Sequence, residues 1–256
     1  MQAPAAKTLP ELQSEHPPAP RGHLDPRTGE PQEQSGVRNY VRDLVLGLND
    51  GIVSVYALVA GIAGSGFSAH NVGLAGVAAL LAGALSMGLG EYVSTKSQAQ
   101  YYAAEARRER EHIRSYPDLE RKELEEMLLE KGYPPALISD MVQYLVASED
   151  RFVEFMMREE FGVGKESDRS PFLAMLLIMG AFVAGALLPV LPFFIAQQNA
   201  LPLASGAAIG GLFLAGAAKG RASGLSAARS GLEMAVLGAL AAGVTFLVGR
   251  FIGVAA

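Results

Sequence analysis

The fold is decided by the stretch Asp43-Leu44-Val45-Leu46-Gly47-Leu48-Asn49-Asp50-Gly51-Ile52-Val53, which opens the first long apolar run of the chain. Between residues 44 and 66 this run holds a single charged side chain, that of Asp50. About 20 apolar residues are enough for a helix to cross a bilayer. An ionisable group costs roughly 2.5 to 3.5 kcal/mol at mid-membrane, so its presence there indicates a function. Asp50 is therefore a candidate ion-pathway residue.

The charges of this 256-residue chain are strongly segregated. They are nearly absent from residues 44–90, 171–218 and 231–249, and they crowd into residues 96–170. This pattern is typical of membrane spans joined by a soluble domain. The chain has no cysteine, which excludes disulfides, zinc–thiolate sites and thiol catalysis. The formal charge of -5 does not indicate a nucleic-acid partner, and the acidic excess in residues 96–170 favours cations.

Five apolar runs predict an all-α, polytopic membrane protein with five transmembrane helices and a helical domain inserted between the second and third. The runs cover residues 44–66, 72–90, 171–196, 201–218 and 231–251. The chain is thereby divided into a disordered, Pro-rich tail (1–36), transmembrane helices 1 and 2 (37–95), a cytoplasmic helical domain (96–170) and transmembrane helices 3 to 5 (171–256).

Prolines and glycines refine the predicted spans. Pro189 and Pro192 are expected to kink or break the end of the third span. Gly206 and Gly210, in the fourth span, have the GxxxG spacing that favours close helix packing in lipid.

The positions of Lys and Arg predict the orientation in the membrane. The loops at 67–71 and 197–200 carry neither residue, whereas basic residues such as Arg169 flank the opposite ends of the spans. By the positive-inside rule, the N-terminus and the helical domain are expected in the cytoplasm. A prokaryotic cytoplasmic membrane is the expected location, because the tail shows no organelle address.

The helical domain contains a candidate metal site. Glu105, Glu109 and His112 fall at i, i+4 and i+7 of a helix that continues from the second span, so they share one face. A Glu-x-x-His pair has the ligand spacing of di-iron helical bundles. The later helices add further carboxylates and thioethers: Glu120, Glu123, Met156, Met157, Glu159 and Glu160. Such a mixture suits Fe²⁺, Mn²⁺, Co²⁺ or Zn²⁺ better than Mg²⁺ or Ca²⁺.

The same residues also fit ordinary structural roles. Arg107 and Glu111 are i, i+4 partners, and Arg108 is placed to pair with Glu105, as on a solvated helix surface. Met87, in the second span, fits apolar packing as well as a pore position. Spacing alone leaves these alternatives open. Phosphate-binding loops and catalytic triads are not evident, so no enzyme is predicted.

Three segments resemble the vacuolar iron transporter family. They are Arg42-Asp43-Leu44-Val45-Leu46-Gly47-Leu48-Asn49-Asp50-Gly51, Ser86-Met87-Gly88-Leu89-Gly90-Glu91-Tyr92 and Phe155-Met156-Met157-Arg158-Glu159-Glu160-Phe161-Gly162. The resemblance runs from about residue 36 to the C-terminus. It implies a homodimer that moves Fe²⁺, and often Mn²⁺, out of the cytosol in exchange for protons, with the pathway at the dimer interface.

The resemblance also implies roles for individual residues. Asp50 and Met87 match the family's pore ligands. Two positions depart from the family pattern: His112 replaces a metal-site Glu, and Ala79 stands where some members carry a membrane Glu. Asp50 is thereby left as the main titratable pore group. The family's cytoplasmic metal ligands match Glu109, Glu120, Glu123 and Glu160, and its Met-containing segment matches Met156 and Met157.

The sequence therefore predicts a transporter of divalent transition metal: Fe²⁺, with Mn²⁺, Zn²⁺ or Co²⁺ as further candidate ions. No enzymatic activity and no prosthetic group are predicted. The expected partners are the metal ion, protons, the lipid bilayer and a second copy of the chain, without nucleic acid. Two alternatives are a membrane-tethered, ferritin-like ferroxidase and a metal-sensing membrane protein. The ferroxidase needs paired Glu-x-x-His motifs, of which the site offers one.

Overall fold

The secondary structure is helical, with short connecting turns, in residues 34–162 and 169–255, which are the residues that a computed structural model of the chain describes. The tail predicted at 1–36 lies outside them except for its last three residues, which belong to the first helix. The helices are α1 (Gln34–Gly64), α2 (Ala69–Ser115), α3 (Pro117–Glu130), α4 (Pro135–Val146), α5 (Glu149–Phe161), α6 (Pro171–Val190), α7 (Pro192–Ile195), α8 (Ala200–Ala222) and α9 (Ala227–Ala255).

Five helical segments are long and apolar enough to cross a membrane, which confirms the predicted all-α architecture and the number of spans. Ser68 and Ser170 cap α2 and α6, each accepting a hydrogen bond from the backbone N–H three residues on, at 3.4 Å. The expected break in the third span occurs between Pro189 and Pro192, where α6 ends and α7 begins. Proline causes it because its ring removes the amide donor and clashes with the preceding turn.

Helix α2 runs without interruption for 47 residues, which is about 70 Å at 1.5 Å per residue. A bilayer's hydrocarbon core is only about 30 Å thick. About half of α2 therefore extends beyond the membrane. Helices α3 and α5 pack against this extension, and α4 packs against α3 and α5. We call residues 96–162 the inserted domain. Its own buried core consists of Leu124, Leu128, Ile138, Val142, Leu145, Phe152 and Met156.

Helix α1 is central to the membrane bundle, in contact with α2, α6, α8 and α9. Its approach to α6 depends on glycine. Gly51 lies against the backbone carbonyl of Phe182, and Gly185 of α6 lies against that of Leu48. A Cβ atom at either glycine would overlap the facing carbonyl group. This close approach fixes the rotation of α1 about its axis, and with it the direction in which Asp50 points.

Glycine packing in α8 differs from the GxxxG prediction. Cβ atoms at Gly206 and Gly210 would meet no atom of the described residues within 4 Å. Gly216 instead lies against α9 at Ser230 and Gly231. The prediction is wrong for contacts within this chain, because spacing shows that two glycines share a face but not which face meets a neighbour.

The substitution Gly185→Ala should destabilise the bundle by about 1 to 3 kcal/mol, the usual cost of overpacking. The added methyl group would collide with the Leu48 carbonyl and would come within 3.1 Å of the backbone nitrogen of Ile52. Thermal unfolding of the protein in detergent measures the effect. The matched control is Gly180→Ala on the same helix, where a Cβ atom meets nothing within 4 Å among the described residues. An equal response of both variants would contradict the packing argument.

Candidate functional site

An open groove of about 390 Å³ brings together the two residues predicted to line the pore, Asp50 of α1 and Met87 of α2. Ala79, the position at which the family pattern departs, lines the same groove. The other lining residues are Ser54, Val55, Leu58, Gly83, Ser86 and Phe182. Of the described residues that line the groove, Asp50 is the only one with an ionisable side chain.

The groove opens on the outer surface of the bundle. Asp50 follows Tyr40, where the first span begins, by ten residues, which is about 15 Å along the helix axis. Leu46, Ser54 and Leu58 continue the same α1 face at spacings of four residues, and all three are exposed. Asp50 is therefore deep in the span and half-buried, in a groove between α1, α2 and α6 that opens outwards.

A second group of polar side chains gathers where α2, α3 and α5 meet. We call Glu109, His112, Glu120, Glu123 and Glu160 the carboxylate cluster. Glu109 and Glu120 are each only 7 % exposed, and their carboxyl groups adjoin, as do those of Glu123 and Glu160. His112 places Nδ1 at 3.7 Å from Oε1 of Glu120. These five residues come from positions up to 51 apart in the sequence.

The carboxylate cluster is electrostatically unfavourable without a cation. Burial and, to a smaller extent, the negative charges of Glu120, Glu160 and Glu123 together raise the pKa of Glu109 to about 7. Burial also raises the pKa values of Glu120 and Glu160, and His112 opposes both shifts. Among the described residues, Oε1 of Glu109 has no hydrogen-bond partner. A bound cation would relieve both the repulsion and the unsatisfied acceptor.

The other residues predicted for this metal site have other partners. Glu105 forms an ion pair with Arg108 at 2.8 Å, which is the alternative that spacing had left open. Glu159 pairs with Lys131. Met156 is fully buried in the core of the inserted domain, and Met157 is 6 % exposed. Within residues 34–162 and 169–255, no three acidic or histidine side chains already converge as a complete metal site.

Ion pairs hold the α5 helix against α2. Arg110 contacts Asp150 at 2.7 Å, and Arg114 donates two hydrogen bonds to Glu149 at 2.8 and 3.0 Å. The bonds from Arg114 lower the pKa of Glu149. Because α5 also carries Glu160, these contacts fix one wall of the carboxylate cluster relative to Glu109 on α2.

A buried ionic network lies between the inserted domain and the groove. Arg169, the residue before the cap of α6, contacts Asp43 of α1 and lies 3.6 Å from Oε1 of Glu91 of α2. Thr95 donates a hydrogen bond to Glu91 at 3.0 Å. In the sequence, Arg169 is informative only as a basic residue that flanks a span. No local pattern links it to Asp43, which is 126 positions away.

Comparison with known proteins gives the same assignment as the three sequence segments. A sequence model of the VIT family matches residues 41–250. The chain is 35 % identical over 214 residues to Vacuolar iron transporter 1 of Arabidopsis thaliana, covering 83 % of this chain and 86 % of that protein. It is 33 % identical over 225 residues to the vacuolar iron transporter of Toxoplasma gondii, covering 84 % and 74 %. It is 30 % identical over 223 residues to Protein CCC1 of Saccharomyces cerevisiae, covering 83 % and 69 %.

These relatives are eukaryotic proteins, so they do not support the predicted prokaryotic location. They do support a multi-pass membrane protein that transports metal, with iron as an ion that it moves, and not an enzyme. The suspected relationship is therefore confirmed, and the chain belongs to the VIT family.

Proposed function

We propose that the chain works as a homodimer that moves Fe²⁺, with Mn²⁺ as a second substrate, out of the cytoplasm in exchange for protons. The observation that carries the proposal is the groove that holds Asp50 and Met87 on the outer surface of the bundle. A carboxylate and a thioether suit a divalent transition metal of intermediate softness. Among the described residues that line the groove, Asp50 and Met87 are the two whose side chains suit such a metal, so the site needs further donors.

A second copy of the chain would supply the missing donors. If Asp50 faced lipid, its charge would be costly, and such residues almost always face a protein interior or a water-filled cavity. Two grooves placed face to face across a two-fold axis would cover both carboxylates and bring two Asp50 and two Met87 side chains together. Exposed Leu46 and Leu58 beside Asp50 supply apolar surface for this contact.

The direction of transport follows from the carboxylate cluster. The cluster is on the extension of α2, the helix that carries Met87, and Glu109 follows Met87 by 22 residues, about 33 Å along the axis. The distribution of Lys and Arg favours the cytoplasm for this end. We infer that the cluster concentrates metal there and that the groove carries it across the membrane.

Proton exchange would use the same carboxylate as metal transport. A carboxylate must be deprotonated before it binds metal, so a proton and a metal ion compete for Asp50. Ala79 lines the groove where the resemblance places a membrane Glu in some members of the family, so this competition rests on Asp50 in each protomer.

Flux into proteoliposomes tests the proposal. Vesicles containing the purified protein are given Fe²⁺ under anaerobic conditions, with an acidic or a neutral lumen. We expect the acidic lumen to accelerate uptake several-fold and uptake to raise the luminal pH. Uptake that ignores the proton gradient would contradict exchange. Metal binding without any flux would instead favour the sensor alternative, which rests on the carboxylate cluster alone.

A further inference from the structure

We propose that Arg169 is a built-in cation gate: its guanidinium group holds the Asp43–Glu91 carboxylate pair that a divalent ion must occupy between the carboxylate cluster and Asp50. This proposal rests on the proposed transport function and adds a residue that controls it. Arg169 reaches α1 and α2 at once from the start of α6. The side chains of Asp43, Arg169 and Glu91 are 1 %, 11 % and 17 % exposed, respectively.

The position of the pair places it on the route. Asp43 precedes Asp50 by seven residues, two helical turns, so both lie on one face of α1, about 10 Å apart along the axis. Glu91 follows Met87 by four residues, one turn of α2, about 6 Å along the axis. Both carboxylates are therefore displaced from the groove towards the inserted domain.

The guanidinium group is held without being fully satisfied. Its Nε atom is buried and has no hydrogen-bond partner among the described residues. A buried arginine that only stabilises the fold is expected to use its donors, because each unsatisfied buried group costs stability. The ring of Tyr40 lies 5.6 Å from the guanidinium carbon and offers a second, weaker resting place for the cation. The network thus has one buried cation, Arg169, for two carboxylates, and the exposed Arg42 lies at its edge.

This arrangement makes a cation exchange physically reasonable. Two carboxylates attract a divalent ion more strongly than they attract a group with a single positive charge, so Fe²⁺ can displace the guanidinium group of Arg169. A monovalent ion carries the same charge as Arg169 and gains little by displacing it. While Arg169 is paired with Asp43 and Glu91, its positive charge reduces the net negative charge of the ion pathway. The gate would therefore favour divalent over monovalent cations and raise the metal concentration needed for uptake.

The competing explanation is a purely structural ion pair that attaches the start of α6 to α1 and α2. Both explanations expect Arg169→Gln to lower thermal stability, because two buried carboxylates lose their counter-ion. They differ in metal dependence. The gate predicts that the Arg169→Gln protein binds one additional Fe²⁺ per chain. It also predicts that the Fe²⁺ concentration for half-maximal uptake falls about tenfold, which is an ordinary size for coupling between two sites. The structural pair predicts neither change.

The experiment measures both quantities on the full-length protein under anaerobic conditions. Equilibrium dialysis in detergent counts bound Fe²⁺, and proteoliposome uptake gives the half-saturating concentration. The matched control is Arg42→Gln: Nε of Arg42 lies 3.6 Å from Asp43, but its side chain is 67 % exposed. We expect the control to keep wild-type values. The double variant Arg169→Gln/Asp43→Asn should lose the additional Fe²⁺ again.

The gate would be overturned if a folded Arg169→Gln protein bound the same number of Fe²⁺ ions per chain as the wild type and reached half-maximal uptake at the same Fe²⁺ concentration. If Arg169→Gln does not fold, Arg169→Lys replaces it, because lysine keeps the charge but not the forked donors. The Fe²⁺ concentration for half-maximal uptake by the Arg169→Lys protein should then fall by two- to threefold, and an unchanged concentration overturns the proposal. Failure of the transport function itself is distinguishable: wild-type protein then shows no flux, while the dialysis count still decides the role of Arg169.

Discussion

Asp50→Asn should reduce Fe²⁺ uptake into proteoliposomes by about 100-fold or more, because it removes the negative charge that the groove offers to metal. Stripping one partner from a buried charge interaction typically costs roughly 3 to 5 kcal/mol, and each 1.4 kcal/mol is about tenfold. Asparagine keeps the size of the side chain, so the α1–α6 contact beside it is preserved. The neutral amide is also cheaper in a bilayer. We therefore expect a folded protein whose thermal stability is equal to or above that of the wild type.

The control for this variant is Glu233→Gln, which makes the same chemical change in another span. Glu233 of α9 is exposed and does not line the groove with Asp50. Its uptake should stay within about twofold of wild type, because Glu233 lies outside the groove that is proposed to carry the metal. Normal uptake by a folded Asp50→Asn protein would refute the role of the groove. A similar loss in both variants would instead indicate a general dependence on membrane carboxylates.

The inserted domain should become less stable as the pH rises from about 4.5 to above 7 when metal is withheld. The pKa of Glu109 is about 7 in the folded chain, against an ordinary value of 4.5. In this window the folded state binds more protons than the unfolded state, so the free energy of unfolding falls with increasing pH. The full difference corresponds to about 3 kcal/mol at most. Thermal unfolding in the presence of a chelator, followed from pH 5.5 to 7.5, measures it.

Glu109→Gln should remove most of this pH dependence and stabilise the metal-free protein at pH 7.5. The matched control is Glu105→Gln, one helical turn away, because Glu105 is already paired with Arg108 and does not contribute to the pKa shift of Glu109. In the wild-type protein, added Fe²⁺ should restore the stability that is lost at neutral pH without metal, and its binding should release protons. If wild type and Glu109→Gln show the same pH profile, the carboxylate cluster does not carry the electrostatic strain described above.

Much of the architecture could be predicted from the sequence because the bilayer restricts the possible solutions. Backbone polar groups must be satisfied within each span, so long uncharged runs imply helices. The prolines at 189 and 192 end a helix through local chemistry. The GxxxG prediction is wrong for contacts within the chain because spacing does not identify the neighbouring helix. The gathering of Glu109, Glu120, Glu123 and Glu160 was expected from the family resemblance, since sequence spacing alone was compatible with a solvated surface.

The sequence by itself determined that a carboxylate lies within the first span and that a charged helical segment follows the second. These features depend on composition and on helical periodicity, which are local. Only the tertiary structure decided that Asp50 shares an outward-facing groove with Met87, that Glu105 and Glu159 are diverted into ion pairs, and that Arg169 is buried between Asp43 and Glu91. The physical reason is that such contacts join distant segments, and their partners are set by how helices pack.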